Sequence, residues 1–267
     1  MSENASVSTL VVEMAANPGL PAGQFADVLR ANLWSWAHGS ATFRSCESYV
    51  LSLRIPDADI DGFSENRGWS VAPDALIQFH FRDSIAALEA QRSGPGVLLP
   101  AAALAAADPA RVSALVCNES VVFDTMTESE RWGAEDETRA PVKLIVLNWK
   151  RKDLTLDQFT DHWRNSHAPL VREHGPSMGF CRYVQSHRSV APSAEATASD
   201  QAIGWRESPD GGITEVWFPT HSSMKRDLSS TAGLAASAIF AEDEVKFILP
   251  ARMSAFLAQE TRESLAG

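Results

Sequence analysis

Slid along itself by 134 positions, this chain of 267 residues repeats. The shift lays Leu20-Pro21-Ala22-Gly23-Gln24-Phe25 over Leu154-Thr155-Leu156-Asp157-Gln158-Phe159, Asp27 over Asp161 and Arg30 over Arg164. It also carries Tyr49-Val50 onto Tyr183-Val184 and Ser52 onto Ser186. With a drift of one to three residues, 75–83 falls on 212–220 and 112–123 on 245–256. An offset that persists through four successive elements marks a duplicated structural unit rather than a short motif. The chain is therefore expected to fold as two like halves, and its length allows one large core or two moderate ones.

The halves differ in chemistry. From Lys150 to His187 the chain reads KRKDLTLDQFTDHWRNSHAPLVREHGPSMGFCRYVQSH. Thr155 and Gln158 are spaced as a capping box, so a helix should begin there. Phe159 and Trp163 fall four apart on one face of it, with His162 and Ser166 beside them. Pro169 disfavours helix at the residue before it, which predicts that the helix frays or stops near His167. A histidine so placed, beside a tryptophan and before a turn, suits proton chemistry.

Phe159, His162-Trp163, His167-Ala168-Pro169-Leu170-Val171 and Arg182-Tyr183-Val184-Gln185 together form a pattern that resembles the EthD domain family, a branch of the dimeric α+β barrel superfamily. Thr214-Glu215-Val216-Trp217-Phe218 and Asp243-Glu244-Val245-Lys246-Phe247 are similar to the family's carboxyl end. The resemblance implies an α+β fold, a ferredoxin-like βαββαβ unit whose sheet closes against a second one. Here the amino-terminal half would supply that second sheet, giving a barrel within one chain. The expected organisation is a degenerate EthD-like half at 1–123, an acidic linker at 124–140, a working half at 141–257 and a tail at 258–267. The fold itself implies no single reaction.

Under the repeat, Leu33 stands where His167 does, Leu29 where Trp163 does and Val28 where His162 does, while five of the seven histidines lie in the second half. The second half is thus expected to hold the site, with one site per chain. His167 is the favoured acid or base, since an imidazole can take and return a proton near neutral pH. Glu215 and Tyr183 are candidates to orient it or steady an oxyanion, and both have structural alternatives because their repeat mates are Gln78 and Tyr49. Glu215 and Trp217 share one face of a strand, Thr214 and Val216 the other. Phe159, Trp163 and Trp217 are expected to form apolar walls, with His162 and Asn148 as further substrate-binding positions.

Net charge −11 argues against nucleic acid or an anionic membrane as partner, and no apolar run of 18 or more residues appears. No basic-then-apolar leader opens the sequence, and Cys46, Cys117 and Cys181 lack CxxC spacing, so free thiols in a reducing cytoplasm are expected. Asp57-x-Asp59-x-Asp61-Gly62 begins like an EF-hand but has Gly68 at position twelve, and the sequence has no P-loop, GxGxxG or HExxH, so neither metal nor cofactor is expected. Residues 9–14, 142–148 and 245–249 read as strands buried on both faces, and the alanine-rich 98–110 and 234–240 as helices. The segments 56–74 and 191–211 are long for hairpin loops and could cover a pocket mouth.

The resemblance implies a cofactor-independent lyase, a decarboxylase or dehydratase acting on a small apolar molecule of phenolic or polyketide-like type, with His167 as its general acid or base. Isomerisation, cyclisation or cofactor-free oxygenation in the same pocket are the alternatives. So are haem binding through His167 and a non-catalytic barrel that carries a hydrophobic ligand. Whole chains could assemble further into homodimers.

Overall fold

The repeat becomes a closed barrel in the computed structural model, which describes residues 8–21, 23–132, 140–190 and 194–265. The first half runs β1 (Ser8–Ala16), α1 (Gln24–Gly39), β2 (Cys46–Ile55), α2 (Ala58–Asn66), β3 (Ala75–Phe81), α3 (Ser84–Arg92), α4 (Pro95–Leu98), α5 (Ala101–Ala106) and β4 (Ala107–Asp124). A short α6 (Glu128–Trp132) follows. The second half then runs β5 (Val142–Asn148), α7 (Leu156–His162), a π-helical turn Trp163–His167, α8 (Ala168–His174) and β6 (Arg182–Arg188). It finishes with α9 (Ala194–Ala202), β7 (Gly212–Phe218), α10 (His221–Leu228), α11 (Thr231–Glu244) and β8 (Ser254–Ser264).

Around the barrel the strands lie in the order β1-β3-β2-β8-β5-β7-β6-β4, every neighbour antiparallel. Each half is therefore a ferredoxin-like sheet, β4-β1-β3-β2 and β8-β5-β7-β6, and the seams β2–β8 and β4–β6 join them. Closure leaves neither sheet with an open edge. Gln78 lies opposite Val11 and Val50, and Glu215 opposite Ile145 and Val184, so the registers reproduce the repeat.

The final strand differs from expectation. Leu115 lies opposite Val11 and Phe256 opposite Ile145, so Phe256 is the true counterpart of Leu115. Residues 245–249 are not a strand; Phe247 and Ile248 are buried against Phe159 and Trp163 instead. A short apolar run cannot by itself distinguish a strand from a buried turn. Residues 258–264, expected as a tail, extend β8 and pair with β2 from Ser48–Ser264 to Ile55–Leu257. The 98–110 helix is likewise shortened, since β4 begins at Ala107.

Alternation along the strands makes three layers. Leu10, Val12 and Met14 face the first half's helices, whereas Val11 points into the barrel with Leu76, Leu115, Ile145, Ile213 and Phe256. In α1, Phe25, Leu29, Leu33 and Ala37 recur every fourth residue and pack that half solid. The second half carries Phe159, Trp163, His167 and Val171 in the same places.

Both long connections carry a helix and cross to the other half. Trp205, after α9, is fully buried in the first half's core and donates from Nε1 to the Gln91 carbonyl at 2.8 Å. The 56–74 segment lies over the second half. Of the linker, α6 is held by Arg131 to Asp124, which also binds Arg182, and 133–139 fall outside the described residues.

Candidate active site

The site starts from the helix that the capping box begins. Thr155 Oγ1 accepts from the Gln158 amide at 3.1 Å, and the Gln158 side chain accepts from the Thr155 amide at 2.9 Å. Contrary to expectation, the helix does not end at His167. It widens into the π turn, where the Ala168 amide donates to the Trp163 carbonyl, and continues as α8 with Pro169 in its first turn. A proline ring clashes with the carbonyl four residues back in a regular helix, and the wider turn relieves that clash. Gln185 on β6 fixes the turn from below, donating to the Trp163 carbonyl at 2.9 Å.

His167, buried by this turn, meets Asp243 at the end of α11, with Nδ1 3.0 Å from Oδ2. Asp243 also accepts from His162 Nε2 at 3.1 Å and from Lys246 Nζ at 3.2 Å. The His167 hydrogen bond, joined by those of the other two, holds Asp243 well below the usual carboxylate range although burial opposes ionisation. An ionised Asp243 accepts from Nδ1–H, which leaves Nε2 as the basic nitrogen of His167.

His167 lines a cavity of about 600 Å³ between the outer face of the second sheet and its helices. Trp163, Val171, Phe180, Phe240 and Phe247 make its apolar walls, and Asn148, Tyr183 and Thr214 rise from the sheet. Asn148 Nδ2 donates to Thr214 Oγ1 at 2.8 Å. Burial pushes the Tyr183 phenol up to about 12, so it stays protonated and can donate.

His167, Trp163, Tyr183 and Asn148 are thus brought together. Phe159 and His162 stand behind the wall: Phe159 packs on Trp163 and Phe247, and His162 stacks on Phe247 while binding Asp243. Glu215 and Trp217 lie elsewhere. It is Thr214 and Val216 that face the cavity, so Glu215 points into the barrel and cannot orient His167. There it binds Lys143 Nζ at 2.5 Å and accepts from Gln78 and Ser186 at 3.0 Å each. Trp217 donates to Glu260 at 2.7 Å and lies under the Lys143 and Arg182 cations.

It is Asp243, part of the pattern that carries the family resemblance, that binds His167. Asp59, Ile60, Arg67 and Trp69 of the first half also line the cavity, which the repeat gave no reason to expect. Among the described residues, no three His, Cys, Asp or Glu side chains form a cluster that could hold a metal ion. The EF-hand-like stretch instead starts α2, where Asp57 Oδ1 accepts from the Asp59 and Ile60 amides at 3.0 Å each. No described helix is long and apolar enough to cross a membrane.

Residues 151–251 match the EthD domain family model. Among solved structures, an anthrone oxidase-like protein superposes with a TM-score of 0.58 at 12% identity, covering 99% of this chain and 95% of that one. An EthD family protein of Bacillus halodurans is 22% identical, with a TM-score of 0.31, over 45% of this chain and 99% of its own. A dye-decolorizing peroxidase of Bacteroides thetaiotaomicron gives a TM-score of 0.48 at 10% identity, covering 95% of this chain and 92% of that one. No curated protein matches. At such identities, the match to the anthrone oxidase-like protein establishes a common barrel fold.

Proposed function

We propose that this protein, whose residues 151–251 match the EthD domain model, is an enzyme of proton transfer acting on a small hydroxylated aromatic or polyketide-like molecule. The observation that carries the reading is the His167–Asp243 pair on the wall of an apolar cavity. A lyase reaction would use His167 and Tyr183 together. In dehydration, His167 Nε2 would remove the proton next to a carbonyl. Tyr183 would donate to the resulting enolate oxygen, and the β-hydroxyl would leave with the proton as water. In decarboxylation of a β-keto or ortho-hydroxy acid, the bond to the carboxylate breaks and its electron pair enters the same enolate. His167 Nε2, having first taken the proton of the acid or of its ortho-hydroxyl, then returns it to carbon. Trp163, Phe240 and Phe247 exclude water, which strengthens each of these polar contacts.

Cofactor-free oxygenation is the second reading, favoured by the whole-chain likeness to an anthrone oxidase-like protein. The same base would make the enolate or phenolate, which dioxygen then oxidises. Haem suits the residues less well. An aspartate behind Nδ1 is what a ligating imidazole needs, but two propionates also need cations. The cavity's Lys225 and Arg67 are engaged by Asp57, Asp59 and Glu244.

The test is a panel of aromatic hydroxy acids, hydroxylated ketones and reduced polycyclic phenols, followed for carbon dioxide, water loss and oxygen uptake. Turnover should fall by roughly two to four orders of magnitude in His167→Ala. Ligand binding without turnover, with affinity intact in that variant, would instead mark a carrier.

A further inference from the structure

We infer that residues 57–70, although part of the first half, form the specificity-determining wall of the second half's cavity, and that they size it for a flat fused-ring phenol. The inference rests on the cavity being the ligand site.

The segment is fastened at both ends. At one end the Asp57 carboxylate both caps α2 and receives α10, through His221 Nε2 at 2.6 Å and Lys225 Nζ at 3.2 Å. At the other, Arg67 pairs with Glu244 at 3.2 Å, next in sequence to Asp243, and the Ser70 amide donates to the Met253 carbonyl at 2.6 Å. Between them, Ile60 joins the apolar cluster of Val171, Met178 and Tyr183, while Trp69 packs on that of Trp163, Phe247 and Met253. The strap therefore spans the cavity from one cluster to the other.

Gly68 sets the tryptophan in place. Its φ of +66° ends α2 in the left-handed region, with the Gly68 amide on Glu65 and the Trp69 amide on Ser64. The matching pair in the other connection is Gly204-Trp205, with Gly204 at φ +105°. Trp205 is fully buried in a solid core, whereas Trp69 is half-buried at the edge of an open space. The same device fills one half and shapes the other. A cavity of about 600 Å³ with Trp69 and Trp163 among its apolar walls suits a flat aromatic body, and Tyr183, Asn148 and His167 are the groups that would meet its oxygens.

Calorimetric titration of the full chain with 2-naphthol and with 1,8-dihydroxyanthraquinone tests this. Trp69→Ala should shift the ratio of the two affinities toward the larger probe by about tenfold or more, as removal of pocket bulk does. Ile60→Phe should shift it the other way, so a poorly folded first variant would not leave the matter undecided. Binding of both probes with the ratio within about twofold of wild type in both variants overturns the strap's role but leaves the site. Failure of the wild-type protein to bind either probe overturns the site and the strap together.

Discussion

His167 stands out in the sequence, but Asp243, which accepts from its Nδ1, is given no role there. Asp243 is the last of the buried positions Gly233, Ala236, Phe240 and Asp243 on α11. A carboxylate on an otherwise apolar stripe needs a partner, and that was the available signal. The apolar run at 245–249, which reads as a strand, masks the helix end just before it. Glu215 misled for the converse reason: alternation shows which residues share a face but not which face meets the cavity. Asp243→Asn should keep the fold and lower turnover, with a changed pH profile, because an amide can donate as well as accept and no longer fixes the His167 tautomer. The same residue should be felt in acid. Its folded pKa lies below the unfolded value of about 3.9, so its stabilisation is complete above that pH and is lost as pH falls through the folded value. Asp57 is lowered too, by the Ile60 amide, His221 and Lys225 working against burial. Melting temperatures followed down from pH 6 should therefore fall less steeply in Asp243→Asn and in Asp57→Asn than in wild type.

At the scale of elements, the helix over 156–162 and the strands at 142–148 and 212–218 follow from local pattern alone. The capping box is equally local, and Thr155→Ala should cost about 1 kcal/mol in a denaturant titration. The π turn is not legible, since Pro169 only disfavours a regular helix before it and leaves the alternative open. The two long connections were conspicuous by length, but their helices and their crossing depend on the opposite half. Gly68→Ala checks the crossing at its most constrained point. An alanine at that positive φ should lower stability by roughly 1 kcal/mol and increase hydrogen exchange at 64–70, whereas a loose loop would show neither effect.

At the scale of the molecule, the repeat announced the barrel, yet the seams that close it come from pairings of distant strands. Separated fragments 1–130 and 138–267 should be poorly soluble, because each would expose the apolar sheet face that the other covers. A fully active, monomeric second fragment would contradict the fused barrel. The barrel interior offers a sharper check. Although burial opposes it, Glu215 and then Glu260 hold Lys143 in its charged form. Lys143→Met would strand two buried carboxylates at a cost of about 3–5 kcal/mol, while Glu215→Gln leaves Lys143 on Glu260 and should cost less; chemical denaturation distinguishes the two. This cluster also shows what joining the halves permits. Gln78 and Glu215 hold equivalent registers and touch each other, so they lie beside the axis that relates the halves. Two identical subunits would have to set like against like there, amide on amide or acid on acid. In one chain that obligation lapses: an amide can face an acid, and a single lysine can serve it. The molecule is in effect a heterodimer of itself, with one side free to remain solid while the other hollows out around a histidine.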